Sequence, residues 1–156
     1  MDTSWRRIAH TEIPDAVGVA APGAFACAHR VGEDEVSALV PHANNIVILG
    51  WIDRIAELHG AHAGAARETV ARDGRMWFVA RHEIDYLGES FVGDALVIAT
   101  WIEKLGRTSL TRATVIARAD DGRPLVRASS RWAFVDLATR KPAAIPDAVR
   151  QALIGA

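Results

Sequence analysis

The longest apolar stretch of the chain follows directly after a short polar cluster. From Ile46 to Leu58 the residues are almost entirely apolar, and the charges are confined to Asp53, Arg54 and Glu57. A helix that is apolar on nearly all sides is buried in a protein core. The pattern therefore predicts a long buried helix over about 43–59.

The polar cluster before this helix predicts how the helix begins. Pro41 disfavours helical geometry in the residue before it, so the chain is expected to be extended there. Asn44 and Asn45 can accept hydrogen bonds from the unpaired amides of the first turn. Glycines at 60 and 64 then end the helix. Polar groups at the mouth of an apolar interior suit an acyl ligand with a polar head.

The second half of the chain has the composition and spacing of an antiparallel sheet. Runs rich in β-branched and aromatic residues predict strands at 76–87, 94–104, 107–119 and 124–136. Asp121-Gly122 predicts a hairpin between the last two. Within the last run, apolar positions alternate with Arg127, Ser129 and Arg131, which predicts one buried and one solvated face.

Shorter elements complete the expected architecture. We predict a strand at 24–31, extended chain at 36–40, a polar helix at 65–72 and a terminal helix at 145–154. Residues 1–23 carry scattered prolines and glycines and are expected to form an irregular N-terminal arm before one domain, 24–156. A long apolar helix and an antiparallel sheet bury each other's apolar faces in an α+β layer arrangement.

Composition narrows the classes of function. The 156 residues carry 24% charged side chains and a formal net charge of -1, which argues against a nucleic-acid surface. No apolar run approaches the roughly 20 residues of a membrane span, and the first eight residues lack the apolar core of a signal peptide. The single cysteine, Cys27, excludes an intrachain disulfide and is expected to be a buried, inert thiol. These features predict a cytoplasmic protein.

The sequence His42-Ala-Asn-Asn45, followed by Gly50-Trp51, resembles the motif of the 4-hydroxybenzoyl-CoA thioesterase family, and its Gly-Trp spacing resembles that of plant acyl-carrier-protein thioesterases. Further matching segments follow in the same order: Ile84-Asp-Tyr-Leu87, Val92-Gly-Asp94, Leu105-Gly-Arg-Thr-Ser109, Phe134-Val-Asp136 and Lys141-Pro with Ile145-Pro146. The resemblance covers about residues 24–154. It implies the hotdog fold, a curved antiparallel sheet wrapped around a long central helix.

The same resemblance implies an activity and its partners. Members hydrolyse acyl-CoA or acyl-carrier-protein thioesters, and they pair as homodimers or as dimers of dimers. No cofactor is implied, because coenzyme A enters only as part of the substrate. No metal site is expected, and His59 and His62 are interpreted as a solvated helix end.

The catalytic acid is the point at which this chain departs from the family. The Asp that many relatives carry four residues before the motif His is Ala38 here, and the Asn of the plant enzymes is Val40. The predicted catalytic residues are His42, Asn44, Asn45, Asp53, Asp85 and Glu35. Asp53 is the first candidate for the missing carboxylate, and Glu57 shares its helix face as a further possible substitute. Asp85 precedes Tyr86 as an acidic residue does in the plant enzymes. For each carboxylate, a solvated or ion-paired surface position is the competing interpretation.

Two sets of residues are predicted to hold the substrate. Ile48, Leu49 and Ile52 would line the acyl pocket, and Lys104, Arg107 and Ser109 would contact the coenzyme A head group. The alternative to catalysis is a hotdog protein that binds acyl-CoA without hydrolysing it, since Ala38 replaces the acid. A hotdog hydratase is disfavoured because its Asp-x-Asn-Pro-x-His spacing is absent from the sequence.

Overall fold

The computed structural model describes residues 4–19, 21 and 23–155. The strands are β1 (Trp5–Ile8), β2 (Phe25–Arg30), β3 (Arg75–Tyr86), β4 (Ala95–Leu105), β5 (Ser109–Arg118) and β6 (Pro124–Asp136). The helices are α1 (Asn45–His62), α2 (Arg67–Arg72) and α3 (Asp147–Gly155), with short 3-10 turns at His10–Glu12, Asp15–Val17 and Glu33–Glu35. Within the described residues, no helix has the length and apolar character that crossing a membrane requires.

The six strands form one antiparallel sheet in the order β1-β2-β4-β5-β6-β3. Helix α1 packs on one face of this sheet, where Ile52 and Ile55 are fully buried among side chains such as Ile98 and Ile116. The predicted pairing of a long helix with an antiparallel sheet is thus confirmed. The predicted alternation on β6 is confirmed as well, because Arg127 and Arg131 are exposed and their apolar neighbours are buried.

The N-terminal segment is more ordered than its composition predicts. β1 pairs with β2, so the expectation of irregular structure throughout residues 1–23 is wrong at Trp5–Ile8. Ile13 and Val17 then pack on the sheet face opposite α1. The β5–β6 turn lies close to this segment, since a Cβ on Gly122 (φ +70°) would come within 2.9 Å of Ala16 Cβ and Pro14 Cβ. Ile13 and Val17 thus shield the apolar side chains on the outer face of the sheet from solvent.

Two further expectations are corrected. Residues 36–40 pass through bends rather than running extended, and Leu39 and Val40 are exposed because they lead across the surface to α1. Helix α1 is not buried on all sides: Ile46 is 68% exposed and Gly50 is exposed. The sheet covers only one stripe of the helix, so the apolar residues on the other stripe face outward.

The edge strand β3 also leaves apolar side chains uncovered. It pairs with β6 on one side only. Phe78 and Val79 are each more than 40% exposed on this strand, as are Tyr86 and Leu87 at its end. A long apolar edge strand offers unpaired backbone groups to another chain.

Candidate functional site

The N-terminus of α1 is capped by one of the two predicted asparagines. Asn44 has extended backbone angles, and its Oδ1 accepts hydrogen bonds from the amides of Ile46 (2.9 Å) and Val47 (3.1 Å). Asn45 is the first helical residue and is exposed. Its amide has no acceptor within the helix, because the first amides of a helix point away from the preceding turn. The cap at Asn44 is confirmed. Asn45 does not cap the helix, and its backbone amide can donate to a ligand at the helix end.

We expect Asn44→Ala to lower the free energy of unfolding by about 1 kcal/mol, because two amides of the first turn lose their acceptor. Urea denaturation measures this loss. Asn45→Ala is the matched control and should change stability far less. Equal losses in the two variants would contradict the assignment of the cap.

A histidine–glutamate pair stands beside this helix end. His42 Nδ1 lies 2.8 Å from Glu89 Oε1. The side chain of His42 is 31% exposed and that of Glu89 is 62% exposed, so solvent reaches both. Glu89 belongs to the loop between β3 and β4, where the amide of Ala43 donates to the carbonyl of Ser90 (3.0 Å). This backbone contact holds the loop against the residues that precede α1.

The loop that carries Glu89 is fixed from its other side by an ion pair. Asp94 Oδ2 accepts from the amide of Phe91 (2.9 Å) and pairs with Arg118 Nη1 (3.3 Å). Arg118 Nη2 also donates to the carbonyl of Glu89 at 3.3 Å. The position of Glu89 therefore depends on β5 as well as on the approach to α1.

The pair opens into a groove of about 460 Å³. The lining residues are His42, Ala43, Asn44, Asn45, Ile48, Tyr86, Leu87, Gly88 and Glu89. Apolar and polar groups are thus combined at one helix end, as a ligand with an acyl chain and a polar head requires.

This geometry can activate a water molecule. A glutamate carboxylate only accepts hydrogen bonds, so the proton shared with Glu89 comes from Nδ1 of His42. The neutral ring then has an unprotonated Nε2, which makes no hydrogen bond to any described residue and can take a proton from water. The backbone amide of Asn45, the first residue of α1, supplies a donor at the positive end of the helix dipole.

Glu35, a predicted catalytic carboxylate, has structural contacts. Its Oε1 accepts from Trp51 Nε1 (2.7 Å), and its Oε2 accepts from the amide of Gly32 (2.9 Å) and lies 2.9 Å from His29 Nε2. Trp51 is 4% exposed and His29 is 3% exposed. The tryptophan of the Gly50-Trp51 motif therefore joins α1 to the turn before it through Glu35.

We expect Glu35→Ala to lower the free energy of unfolding by about 3 kcal/mol, because it leaves the buried indole N–H of Trp51 and the amide of Gly32 without an acceptor. Glu35→Gln keeps an acceptor oxygen and should cost less. Glu33→Ala, at the exposed neighbouring position, is the control, and denaturant unfolding is the measurement. If Glu35→Ala removes activity while stability is unchanged, the role of Glu35 is catalytic rather than structural.

The other predicted carboxylates lie away from His42 within one chain. Asp53 is paired with Arg67 (2.6 Å), and eight residues place it about 12 Å from Asn45 along the axis of α1. Glu57 is paired with Arg54 (2.8 Å). Both side chains are partly exposed.

Asp85 lies on the opposite face of the sheet from α1. It is exposed and lines a surface depression together with Trp101 and Arg127. Because successive strand residues point to opposite faces, its neighbour Tyr86 lines the groove at His42 and Asp85 does not. The fold thus separates Asp85 from His42 and the other motif residues, near which the missing carboxylate was expected.

The residues predicted to bind substrate fall into two separate regions. Ile48 lines the groove, while Leu49 is half-buried and Ile52 is fully buried in the core. Lys104, Arg107 and Ser109 surround the β4–β5 hairpin. Strand β4 has 11 residues and runs from the Glu89 loop to this hairpin, so the two ends are about 35 Å apart. One chain does not bring these three residues to the groove.

A buried polar cluster lies at the other end of α1. His59 is fully buried, and its Nδ1 accepts from Arg112 Nη1 at 2.7 Å. Burial, with a smaller contribution from the positive charge of Arg112, lowers the pKa of His59 to about 3. Burial lowers the pKa of Arg112 to about 10. The interpretation of His59 as part of a solvated helix end is wrong, because the helix continues to His62 and β5 covers this turn.

Cys27 takes no part in either region. Its side chain is 2% exposed, and burial raises the pKa of the thiol to about 11. The thiolate is the nucleophilic form of cysteine, so this side chain is protonated and unreactive at neutral pH. The predicted burial of Cys27 is confirmed.

The sequence matches a family model described as the thioesterase-like superfamily over residues 38–153. Among curated proteins, the chloroplastic palmitoyl-acyl carrier protein thioesterase of Cuphea hookeriana is 29% identical over 124 residues. That match covers 78% of this chain and 29% of the relative, so the chain spans less than a third of the relative's length.

Solved structures share the fold. A 1,4-dihydroxy-2-naphthoyl-CoA thioesterase from Synechocystis superposes with a TM-score of 0.77 at 17% identity, covering 83% of this chain and 95% of that one. An acyl-ACP thioesterase from Bacteroides thetaiotaomicron gives a TM-score of 0.70 at 22% identity, covering 79% of this chain and 50% of that one. The hotdog fold implied by the sequence is confirmed by these structures and by the sheet and helix described above.

Proposed function

Because the chain belongs to the thioesterase-like superfamily, we propose that it is a hydrolase of acyl-CoA or acyl-carrier-protein thioesters. The observation that carries this proposal is the 2.8 Å contact between His42 and Glu89 beside the N-terminus of α1. It supplies a base at the mouth of a groove where the usual family acid is replaced by Ala38.

Each step of the proposed reaction uses a group of this site. His42 Nε2 takes a proton from water, and the hydroxide oxygen bonds to the thioester carbon. The amide of Asn45 stabilises the resulting oxyanion, while Glu89 stabilises the positive charge on the imidazolium. The carbon–sulfur bond then breaks, and the proton on Nε2 passes to the departing thiolate. The products are a free acid and a thiol, and no cofactor is consumed.

The proposed substrate carries an acyl chain on a phosphopantetheine-type thiol. Ile48, Tyr86 and Leu87 give the groove an apolar wall for the chain. Named relatives act on acyl carrier protein or on a CoA thioester, which supports this class of substrate. The predicted contact of the head group with Lys104, Arg107 and Ser109 requires a second chain, because these residues lie at the far end of β4.

Thiol release from a panel of acyl-CoAs and acyl carrier proteins tests the proposal. The panel contains short, medium, long-chain and aromatic acyl groups, each on both carriers. We expect turnover above buffer with at least one member. Absence of thiol release from every member would refute hydrolysis of this substrate class.

The second candidate is a protein that binds acyl thioesters without hydrolysing them. Ala38 and Val40 replace the Asp and Asn of relatives, and this departure favours it. Such a protein would gain thermal stability with acyl-CoA and release no thiol. Ala38→Asp separates the candidates: an inert protein that becomes active supports binding alone, whereas an active protein that loses turnover supports the His42–Glu89 base.

We propose that two copies pair through the exposed edge of β3. The uncovered apolar side chains Phe78 and Val79 and the unpaired edge of the strand support this assembly. Light scattering should give twice the mass of one chain, and a monomer mass at micromolar concentration would refute it. A cytoplasmic location and a dimer of dimers stay predictions.

A further inference from the structure

A small cavity lies between α1, α3 and the sheet, separate from the groove at His42. Its volume is about 30 Å³. Trp77, Leu110, Trp132 and Leu153 form its apolar walls, and Arg112 adds a charge to the lining. This volume exceeds the roughly 10–15 Å³ that one water molecule requires, so a two-oxygen head group can enter.

Arg112 is a buried cation without an anionic partner. Arg112 as a whole is 4% exposed. Nη1 donates to His59 Nδ1 (2.7 Å) and to Thr100 Oγ1 (3.3 Å), and both acceptors are neutral. None of the described carboxylates lies within 4 Å of the guanidinium, and Nε has no hydrogen-bond partner among the described residues. A buried charge of this kind is costly unless an anion compensates it.

Two further buried donors also lack a hydrogen-bond acceptor among the described residues. The indole Nε1 of Trp132 is buried without a partner among the described side chains and backbone, and an indole N–H can only donate. His59 accepts from Arg112 at Nδ1, so its proton is on Nε2, which is also buried without a described partner. The cluster therefore contains three unsatisfied donors.

The half-exposed residues Glu57 and Arg67 also line the cavity, and their charges are already engaged. Glu57 is paired with Arg54 at 2.8 Å, and Arg67 is paired with Asp53 at 2.6 Å. Neither pair supplies a carboxylate to Arg112. The cavity therefore lacks a negatively charged hydrogen-bond acceptor. A suitable ligand carries such an acceptor on a small apolar group that contacts the indole rings lining the cavity.

We propose that this cavity binds the carboxylate of a small organic acid, which accepts hydrogen bonds from Arg112 Nε and Trp132 Nε1. The apolar part of the ligand contacts Trp77, Leu110 and Leu153. The ligand is a free acid of about two carbons, the size that a cavity of about 30 Å³ admits.

The binding test compares acetate with acetamide, which has the same shape and no charge. Indole N–H signals in a proton–nitrogen NMR spectrum report each titration, and Trp132→Phe assigns the signal of Trp132. We expect acetate to shift this signal saturably and to bind at least tenfold more tightly than the amide. An unmoved signal, or equal affinity for acid and amide, would overturn the proposal and leave the donors to buried water.

Two variants locate the binding energy. Arg112→Met keeps a long apolar stem, and we expect it to bind acetate at least tenfold more weakly while its melting temperature without ligand is unchanged or higher. Trp132→Phe removes one donor, keeps a ring, and should weaken binding severalfold even if Arg112→Met does not fold. Arg131→Met, on the exposed face of β6, is the control and should bind as the wild type does. Wild-type affinity in both cavity variants would overturn the proposal.

Discussion

His42→Ala is expected to lower kcat/KM for thioester hydrolysis by about a hundredfold or more, which is the range of a lost general base. The variant removes Nε2, the atom that receives the proton of the attacking water. It leaves Asn44 and the backbone of α1 in place, so folding and ligand binding should persist. Steady-state thiol release measures the rate, and thermal unfolding verifies the fold.

Glu89→Gln tests the other half of the pair. The amide oxygen still accepts a hydrogen bond from His42 Nδ1 but carries no charge to stabilise the imidazolium, so the rate should fall about tenfold or more. His62→Ala and Glu83→Gln are controls, because both residues are exposed and outside the groove. Wild-type rates in folded His42→Ala and Glu89→Gln would place the chemistry elsewhere in the molecule.

Stability is expected to fall as the pH is lowered from about 6.5 toward 4, and His59 is the cause. Its pKa is about 3 in the folded chain and near its ordinary value of 6.5 once unfolded. Between these values the unfolded state binds more protons, so acidification favours unfolding. The slope approaches about 1.4 kcal/mol per pH unit from this one group. Urea denaturation at half-unit pH intervals measures it.

His59→Gln should flatten this slope, because its side chain does not titrate and its amide oxygen can still accept from Arg112. His62→Gln is the matched control three residues along the same helix, and it should keep the wild-type slope because His62 is exposed. A His59→Gln protein with the wild-type slope would show that other groups control the acid transition.

The fold could be predicted from the sequence because the patterns that indicate its helices and strands are local and periodic. The alternation from Val126 to Phe134 defines β6, and the polar start before Ile46 defines the beginning of α1. The strand β1 was missed because four residues in a segment with scattered glycines and prolines carry little pattern of their own. Its pairing with β2 supplies the order that the local sequence lacks.

Only part of the candidate site could be predicted from the sequence, because tertiary contacts bring its residues together. His42 and Asn44 stand in a recognisable motif, but Glu89 is 47 residues from His42 and occupies a loop. Its one local signal is its position between Gly88 and Ser90, immediately after the exposed end of β3. The sequence therefore indicated that an acid was required and favoured Asp53, followed by Asp85 and Glu35. Asp53 is paired with Arg67 farther along α1, and Asp85 lies on the other face of the sheet.

Buried polar groups were the least predictable feature. Arg112 occupies an ordinary position in a strand-like run, and His59 stands near a helix end, so each is expected at the surface. Their contact at 2.7 Å depends on how closely β5 approaches the last turns of α1. Packing of this kind is a property of the whole core rather than of either segment.

A single turnover in 18O-labelled water, with protein in excess over an acyl thioester that it turns over, tests the central claim most directly. If the His42–Glu89 pair activates water, thiol is released and the free acid formed in the first turnover carries one labelled oxygen. The label enters because the activated water attacks the carbonyl carbon. Release of unlabelled acid would contradict this account, because it would show that a protein carboxylate is the nucleophile.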